Sequence, residues 1–190
     1  VSYPDLLGFG RRHLHMAEHE LRDAVLYQLG ALDAFAQVAG AEIAYVKPHG
    51  ALYHATATEP AFARAVVHAA AEYDPSLAIL GLPESELLSA ADRAGLESIA
   101  EAFADRAYRA DGGLLPRSEA GSVLTDPTEV AERAVRVAVD SEIVAVDGSV
   151  VAVRARSICV HSDTPGAVDL ARAVRTALDA AGVGVHRFTA

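Results

Sequence analysis

A lysine and a histidine close an apolar run in AYVKPHGALY, residues 44–53. Pro48 has no amide hydrogen for a sheet ladder and holds Lys47 extended, so the run Ile43 to Val46 should stop being a strand there. Lys47 and His49 then sit at a strand's carboxyl end. A lysine in that position either reaches solvent along its stem or meets a carboxylate or phosphate, and a buried amine can take up acid–base work. His49 reads as a loop histidine bonded to backbone or as a proton carrier. Two further segments share the layout of apolar strand, polar cluster and helix: SIAEAFADRAY, residues 98–108, and ICVHSDTPGA, residues 158–167. Glu101, Asp105 and Arg106 fit an ion-pair network or an acid–base group equally well. In the third segment His161 and Asp163 add acid–base or metal-ligand capacity. Asp163 or Thr164 is placed to cap a helix whose first turn holds Pro165, which would leave backbone N–H groups to receive an anion.

The opening segment YPDLLGFGRR, residues 3–12, follows a different logic. Pro4 and Asp5 begin a turn, Gly8 and Gly10 permit close backbone approach, and Arg11 and Arg12 offer a bidentate clamp for carboxylate or phosphate, or a plain surface pair. No Walker pattern is present. His13, His15 and His19 resemble a metal comb, although His15 and His19 at i,i+4 spacing more often mark a solvated helix face.

The elements that must position these groups alternate. Leu21, Val25, Leu29, Leu32, Phe35 and Ala36 form one face of a helix over 17–39, ended by Gly40. A strand at 43–46, a helix at 59–73 with Pro60 in its first turn, a strand at 77–80, a helix at 84–94 stopped by Gly95 and a strand at 97–102 follow. After a Gly- and Pro-containing loop, 111–121, come a helix at 127–139 capped by Asp126 and a hairpin, 143–146 and 150–153, turning at Asp147-Gly148. A strand at 158–160 and a helix at 165–181 complete the series. Such alternation favours parallel strands with covering helices, hence an α/β barrel, with a doubly wound open sheet as the alternative. In either, strand carboxyl ends lie on one side, so the clusters could gather around one pocket.

Bulk properties exclude several classes. The 190 residues fit a single domain spanning 1–190. A net charge of -10 opposes a broad nucleic-acid face and an anionic membrane surface. Cys159 is the only cysteine, which rules out an internal disulfide or thiolate metal cluster and makes the cytoplasm the natural compartment. No apolar stretch reaches the roughly 18 to 20 residues of a membrane span.

YPDLLGFGRR, LYQLGALDAFA, VKPHGALY, EAFADRAY, LLPRSEAGSV and CVHSDTPGAV, in that order along essentially the whole chain, resemble the LamB/YcsF family. Its characterised members are A subunits of bacterial ATP-dependent 5-oxoprolinase. The resemblance implies a (β/α) barrel-like fold related to the glycoside hydrolase/deacetylase group, with seven strands in the complete protein. It also implies opening of 5-oxo-L-proline to L-glutamate with ATP as co-substrate, accompanied by magnesium, in company with B and C subunits. On that footing Lys47, Arg11 and Arg12 stabilise anions, with Arg106 and Thr164 as further substrate or phosphate ligands. His49 and His161 transfer protons, and Asp105 and Asp163 orient or activate water. The sequence leaves open whether a metal is bound. Two features depart from the pattern. The chain starts at Val1 where family members already have a segment behind them, so either the natural polypeptide extends before Val1 or a partner chain completes the sheet. Ser162 stands where the family often has glycine. Two other readings compete: a metal-dependent amide or carbohydrate deacetylase working without ATP, and a non-catalytic protein of the complex that only binds substrate.

Overall fold

Alternation of apolar runs and amphipathic stretches produces parallel strands joined by helices. A computed structural model describes residues 1–189, which divide into two compact units, Val1–Ala100 with Thr189, and Glu101–Phe188.

In the first unit, an irregular opening leads to α1 (Glu18–Val38), β1 (Tyr45–Val46), α2 (Ala51–Thr58), α3 (Pro60–Tyr73), β2 (Ala78–Gly81), α4 (Glu86–Ala94) and the start of β3 (Ser98–Phe103). β1 pairs with β2 and β2 with β3, all parallel, with Val46 opposite Ile79 and Gly81 opposite Ala100. The four residues of β2 are buried throughout, as a central parallel strand requires. Leu21, Val25, Val46, Leu52, Leu77, Ile79 and Leu87 build the core, each contributing about 1.5–3 kcal/mol on burial. Local chemistry sets the helix ends. The Ser85 hydroxyl accepts from the Leu88 N–H at the start of α4, Gly95 closes it in the left-handed conformation, and Pro60 opens α3.

Three local expectations need correction here. α2 is a separate helix, Ala51–Thr58, that the expected elements do not include. β1 is only two residues long. On α1 the apolar face is buried at Leu21, Val25 and Leu29, while Leu32 and Phe35 are exposed. A cleft of about 430 Å³ lies there, lined by Leu29, Leu32, Ala36, Ile43, Val46 and Lys47 among others.

The second unit begins inside β3, whose residues Glu101, Ala102 and Phe103 pair in parallel with Ser157, Ile158 and Cys159 of β6 (Ser157–Cys159). Between them lie α5 (Pro127–Asp140) and an antiparallel hairpin, β4 (Glu142–Val144) and β5 (Val150–Ala152); α6 (Ala167–Ala180) follows β6. α5 packs on α6 through Val130, Ala134, Leu170, Val174 and Leu178. Asp126 caps α5 as expected, accepting from the Thr128 and Glu129 N–H groups.

α6 departs from expectation. It starts at Ala167 with Gly166 at its N-cap and no side-chain cap, so Pro165 lies outside the first turn and neither Asp163 nor Thr164 caps the helix. The physical reason is that the Thr164 hydroxyl is drawn to a carboxylate elsewhere.

Candidate functional site

Parallel register brings Asp105 and His161 together. Phe103 lies opposite Cys159, and each strand is followed at the same offset by a polar side chain, Asp105 after β3 and His161 after β6. The Ala104 N–H donates to the Cys159 carbonyl at 3.0 Å, carrying the pairing one residue beyond the strands. Asp105 thus arrives with its side chain fully buried, facing a histidine whose side chain keeps 23% of its surface exposed.

The Asp105 carboxylate accepts from His161 Nδ1 at 2.9 Å through Oδ1. Its Oδ2 accepts from the His161 backbone N–H at 3.0 Å and from the Thr164 hydroxyl at 2.8 Å. Burial pushes this carboxyl upward, but hydrogen bonds from the His161 ring and backbone, the imidazole's charge and the Thr164 hydroxyl prevail and hold it below its ordinary range. An ionised carboxylate only accepts, so Nδ1 carries the hydrogen and Nε2 becomes the ring atom that can exchange a proton with a ligand. The Phe103 ring stacks on the imidazole, with centroids 5.3 Å apart and planes 17° from parallel. A histidine oriented by a carboxylate and clamped by an aromatic face is equipped for proton transfer.

A loop from Asp105 to Leu124 braces this pair. The Leu124 N–H donates to the Asp105 carbonyl at 2.9 Å and the Ala107 N–H to the Ser122 carbonyl at 3.0 Å. The Tyr108 hydroxyl accepts from the Phe103 N–H at 2.8 Å and so fixes the stacking residue; burial pushes this phenol far above its usual range. Arg106 is buried and donates to the carbonyls of Ser122 and Leu115. Those donors secure the loop. Thr164 gives its hydroxyl to Asp105 and so helps to position the carboxylate. Asp163 is partly exposed, with Arg117 Nη2 at 3.7 Å from its Oδ1.

Lys47 and His49 occupy the carboxyl end of β1 in the first unit. Lys47 Nζ lies 5.7 Å from the centre of the Tyr53 ring, within cation–π range. His49 is held by its backbone N–H, which donates to the Val1 carbonyl at 2.8 Å, and by its carbonyl, which accepts from the Ser2 hydroxyl at 3.0 Å. His49 Nε2 stands 3.1 Å from the Phe9 carbonyl. A carbonyl only accepts, so Nε2 carries a hydrogen toward it. Gly50 has φ 64°, and a Cβ there would sit 2.4 Å from the Gly10 carbonyl oxygen, a position only glycine can hold. The expected arginine clamp divides. Arg12 pairs with Asp5, and Arg11 lies over the Phe9 ring at 5.5 Å.

Among the described residues no three His, Cys, Asp or Glu side chains gather so as to hold a metal ion. The His13 and His15 rings meet edge to face at 4.9 Å, and His13 also lies against Tyr3 and Phe62. No helix among the described residues is long and apolar enough to cross a membrane. Sequence reasoning overlooked Phe103 and Tyr108 as supports of His161, although both stand in the EAFADRAY segment.

A strand-end dyad on an α/β scaffold defines a broad class of hydrolytic and transfer enzymes, and comparison with known proteins narrows it. The LamB/YcsF family model matches residues 1–190, and the chain belongs to that family. The A subunit of 5-oxoprolinase from Streptomyces coelicolor is 56% identical over 188 residues, covering 99% of this chain and 75% of that protein. The protein of the same name from Mycobacterium avium is 51% identical over the same share of each. Among solved structures, the lactam utilization protein of Thermus thermophilus superposes with a TM-score of 0.91 at 45% identity, covering 98% of this chain and 74% of that one. The fold class is the α/β, barrel-like one expected, with parallel strands.

Proposed function

We propose that this chain is the A-type subunit of an ATP-hydrolysing 5-oxoprolinase, which opens 5-oxo-L-proline to L-glutamate together with B and C subunits in the cytoplasm. The observation that carries the reading is near-full-length identity of 50–56% to several proteins bearing that name. The Asp105–His161 pair supplies chemistry that such a reaction needs.

A five-membered lactam is a resonance-stabilised amide whose ring recloses readily, so ATP must drive the opening. Transfer of the γ-phosphoryl group to the amide oxygen releases ADP and leaves the ring carbon electrophilic. Water adds to that carbon, the C–N bond breaks as the nitrogen takes a proton, and the resulting acyl phosphate is hydrolysed by a second water to glutamate and phosphate. His161 Nε2 is suited to moving the proton between water and nitrogen, with Asp105 stabilising the imidazolium that forms. Lys47 and Arg11 are assigned to anionic oxygens, His49 to a second proton transfer, and Asp163 to water. Magnesium would accompany ATP.

The test replaces Lys47, His49, Asp105 and His161 singly by Ala in the assembled A, B and C proteins and follows glutamate formation once folding is verified. His161→Ala and Asp105→Ala are expected to lower kcat/KM by about 10²- to 10⁴-fold. Near-normal kcat/KM in all four variants overturns the residue assignments. Turnover that persists without ATP overturns the reaction and favours a deacetylase-type hydrolysis.

A further inference from the structure

The segment LLPRSEAGSV, residues 114–123, takes no part in the proton chemistry of the Asp105–His161 pair, yet it carries an arginine to the turn that holds His161. Its base is firmly tied. The Leu115 N–H donates to the Ala107 carbonyl at 2.9 Å, the Ala107 N–H donates to the Ser122 carbonyl at 3.0 Å, and buried Arg106 donates to the carbonyls of Leu115 and Ser122. Between these anchors the Glu119 N–H returns to the Pro116 carbonyl at 2.9 Å, which closes a turn with Arg117 in its second position. Arg117 is therefore presented from a braced backbone, which lowers the ordering cost of binding a ligand.

The guanidinium lies beside Asp163, with Nη2 3.7 Å from Oδ1. Asp163 belongs to the turn His161–Thr164, which the Thr164 N–H closes on the His161 carbonyl. That turn is gathered around Asp105, which accepts from the His161 ring, the His161 N–H and the Thr164 hydroxyl. Arg117 thus borders the same short turn as the imidazole. A separation of 3.7 Å is longer than a hydrogen bond, and with side chains 31% and 45% exposed the two charges attract each other only weakly. Among the described residues Arg117 makes no other ion pair. Its donors are available for exchange with a ligand.

Charge indicates which ligand. A molecule brought to His161 meets the carboxylates of Asp105 and Asp163, and an anion is repelled there unless a cation stands at hand. 5-Oxo-L-proline is such an anion, because its ring bears a carboxylate on the carbon next to the lactam nitrogen. A planar guanidinium fork matches that group with two parallel hydrogen bonds.

We propose that Arg117 binds the carboxylate of the lactam substrate, with Asp163 flanking the guanidinium, and so selects 5-oxo-L-proline over lactams that lack this group. The proposal rests on the oxoprolinase reading and deepens it by naming the residue that recognises the unreacting end of the substrate. Holding the carboxylate also aims the neighbouring nitrogen, which must take up a proton, toward the imidazole.

The test uses the assembled A, B and C proteins. Arg117→Gln should raise KM for 5-oxoproline about 10- to 100-fold, the loss of a charge-assisted pair, while kcat changes by less than about threefold. KM for ATP and the melting temperature should stay at their wild-type values, since the side chain lies at the surface. Arg117→Lys keeps the charge without the fork and should recover part of the loss. The neutral carboxamide of 5-oxoproline, used as a competitive inhibitor, should bind wild type and Arg117→Gln equally. An unchanged KM for 5-oxoproline in Arg117→Gln overturns the proposal. So does an equal rise in KM for ATP, which would make Arg117 a phosphate ligand, or an equal weakening of the carboxamide, which would make it a support of the loop. A wild-type assembly that forms no glutamate, or forms it without ATP, overturns the oxoprolinase reading itself. ATP-dependent turnover by wild type beside an unimpaired Arg117→Gln overturns only the role of the arginine.

Discussion

Asp105 combines complete burial with ionisation, and each half of that statement constrains the other. A buried carboxylate survives only if donors surround it, and here the donors come from one short stretch, His161 to Thr164. The consequence for stability has a definite sign. The folded-state pKa lies below the ordinary carboxylate value, so the ionised form is preferentially stabilised in the native protein. That contribution is fully present above about pH 4, the unfolded pKa, and is lost as pH falls through the folded one. Urea unfolding between pH 7 and pH 3 should therefore show the wild type losing stability more steeply in acid than Asp105→Asn. Equal slopes would mean that this carboxylate gains nothing from its donors. Asp105→Asn should also be less stable at pH 7, because the amide replaces one accepting oxygen with an NH2 donor that faces other donors. At this scale the sequence was partly readable. His161 and Asp105 stood out by type and strand-end position, whereas the preference of Thr164 for Asp105 over a capping role depends on a partner 59 residues away.

Elements place these groups through backbone features that tolerate little change. Gly50, with φ 64° and ψ -131°, turns the chain from His49 into α2 while its α-carbon faces the Gly10 carbonyl. Gly50→Ala adds both backbone strain and a clash, and should destabilise the protein by about 2–4 kcal/mol, read as a lowered urea midpoint. Ser85→Ala removes only the α4 cap and should cost about 1 kcal/mol, which makes it a useful comparison. A Gly50→Ala loss no larger than that of Ser85→Ala would show that the turn can relax. Helix starts and stops written in local chemistry, such as Asp126, Pro60 and Gly95, are legible because the signal and its effect are neighbours in sequence. The hairpin at Asp147-Gly148 was legible for the same reason. α2 was hidden because its flanking Pro48 and Gly50 are loop signals, and the exposed end of α1 was hidden because periodicity marks an apolar face without saying what covers it.

At the scale of the whole chain, strand pairing carries more of the functional argument than any single motif. The pairing of Phe103 with Cys159 joins residues 56 positions apart, and no local pattern in either segment announces it. The alternation of strands and helices indicated parallel pairing, and strand order had to come from tertiary packing. β6 is only three residues long, so the polar turn that follows depends on its grip on Asp105 as much as on the sheet. That carboxylate consequently works as a latch, making readiness to react and local order one event. Gentle warming should silence glutamate production in the assembled enzyme several degrees before circular dichroism registers loss of the helices. Coincident curves would show that the latch and the scaffold let go together.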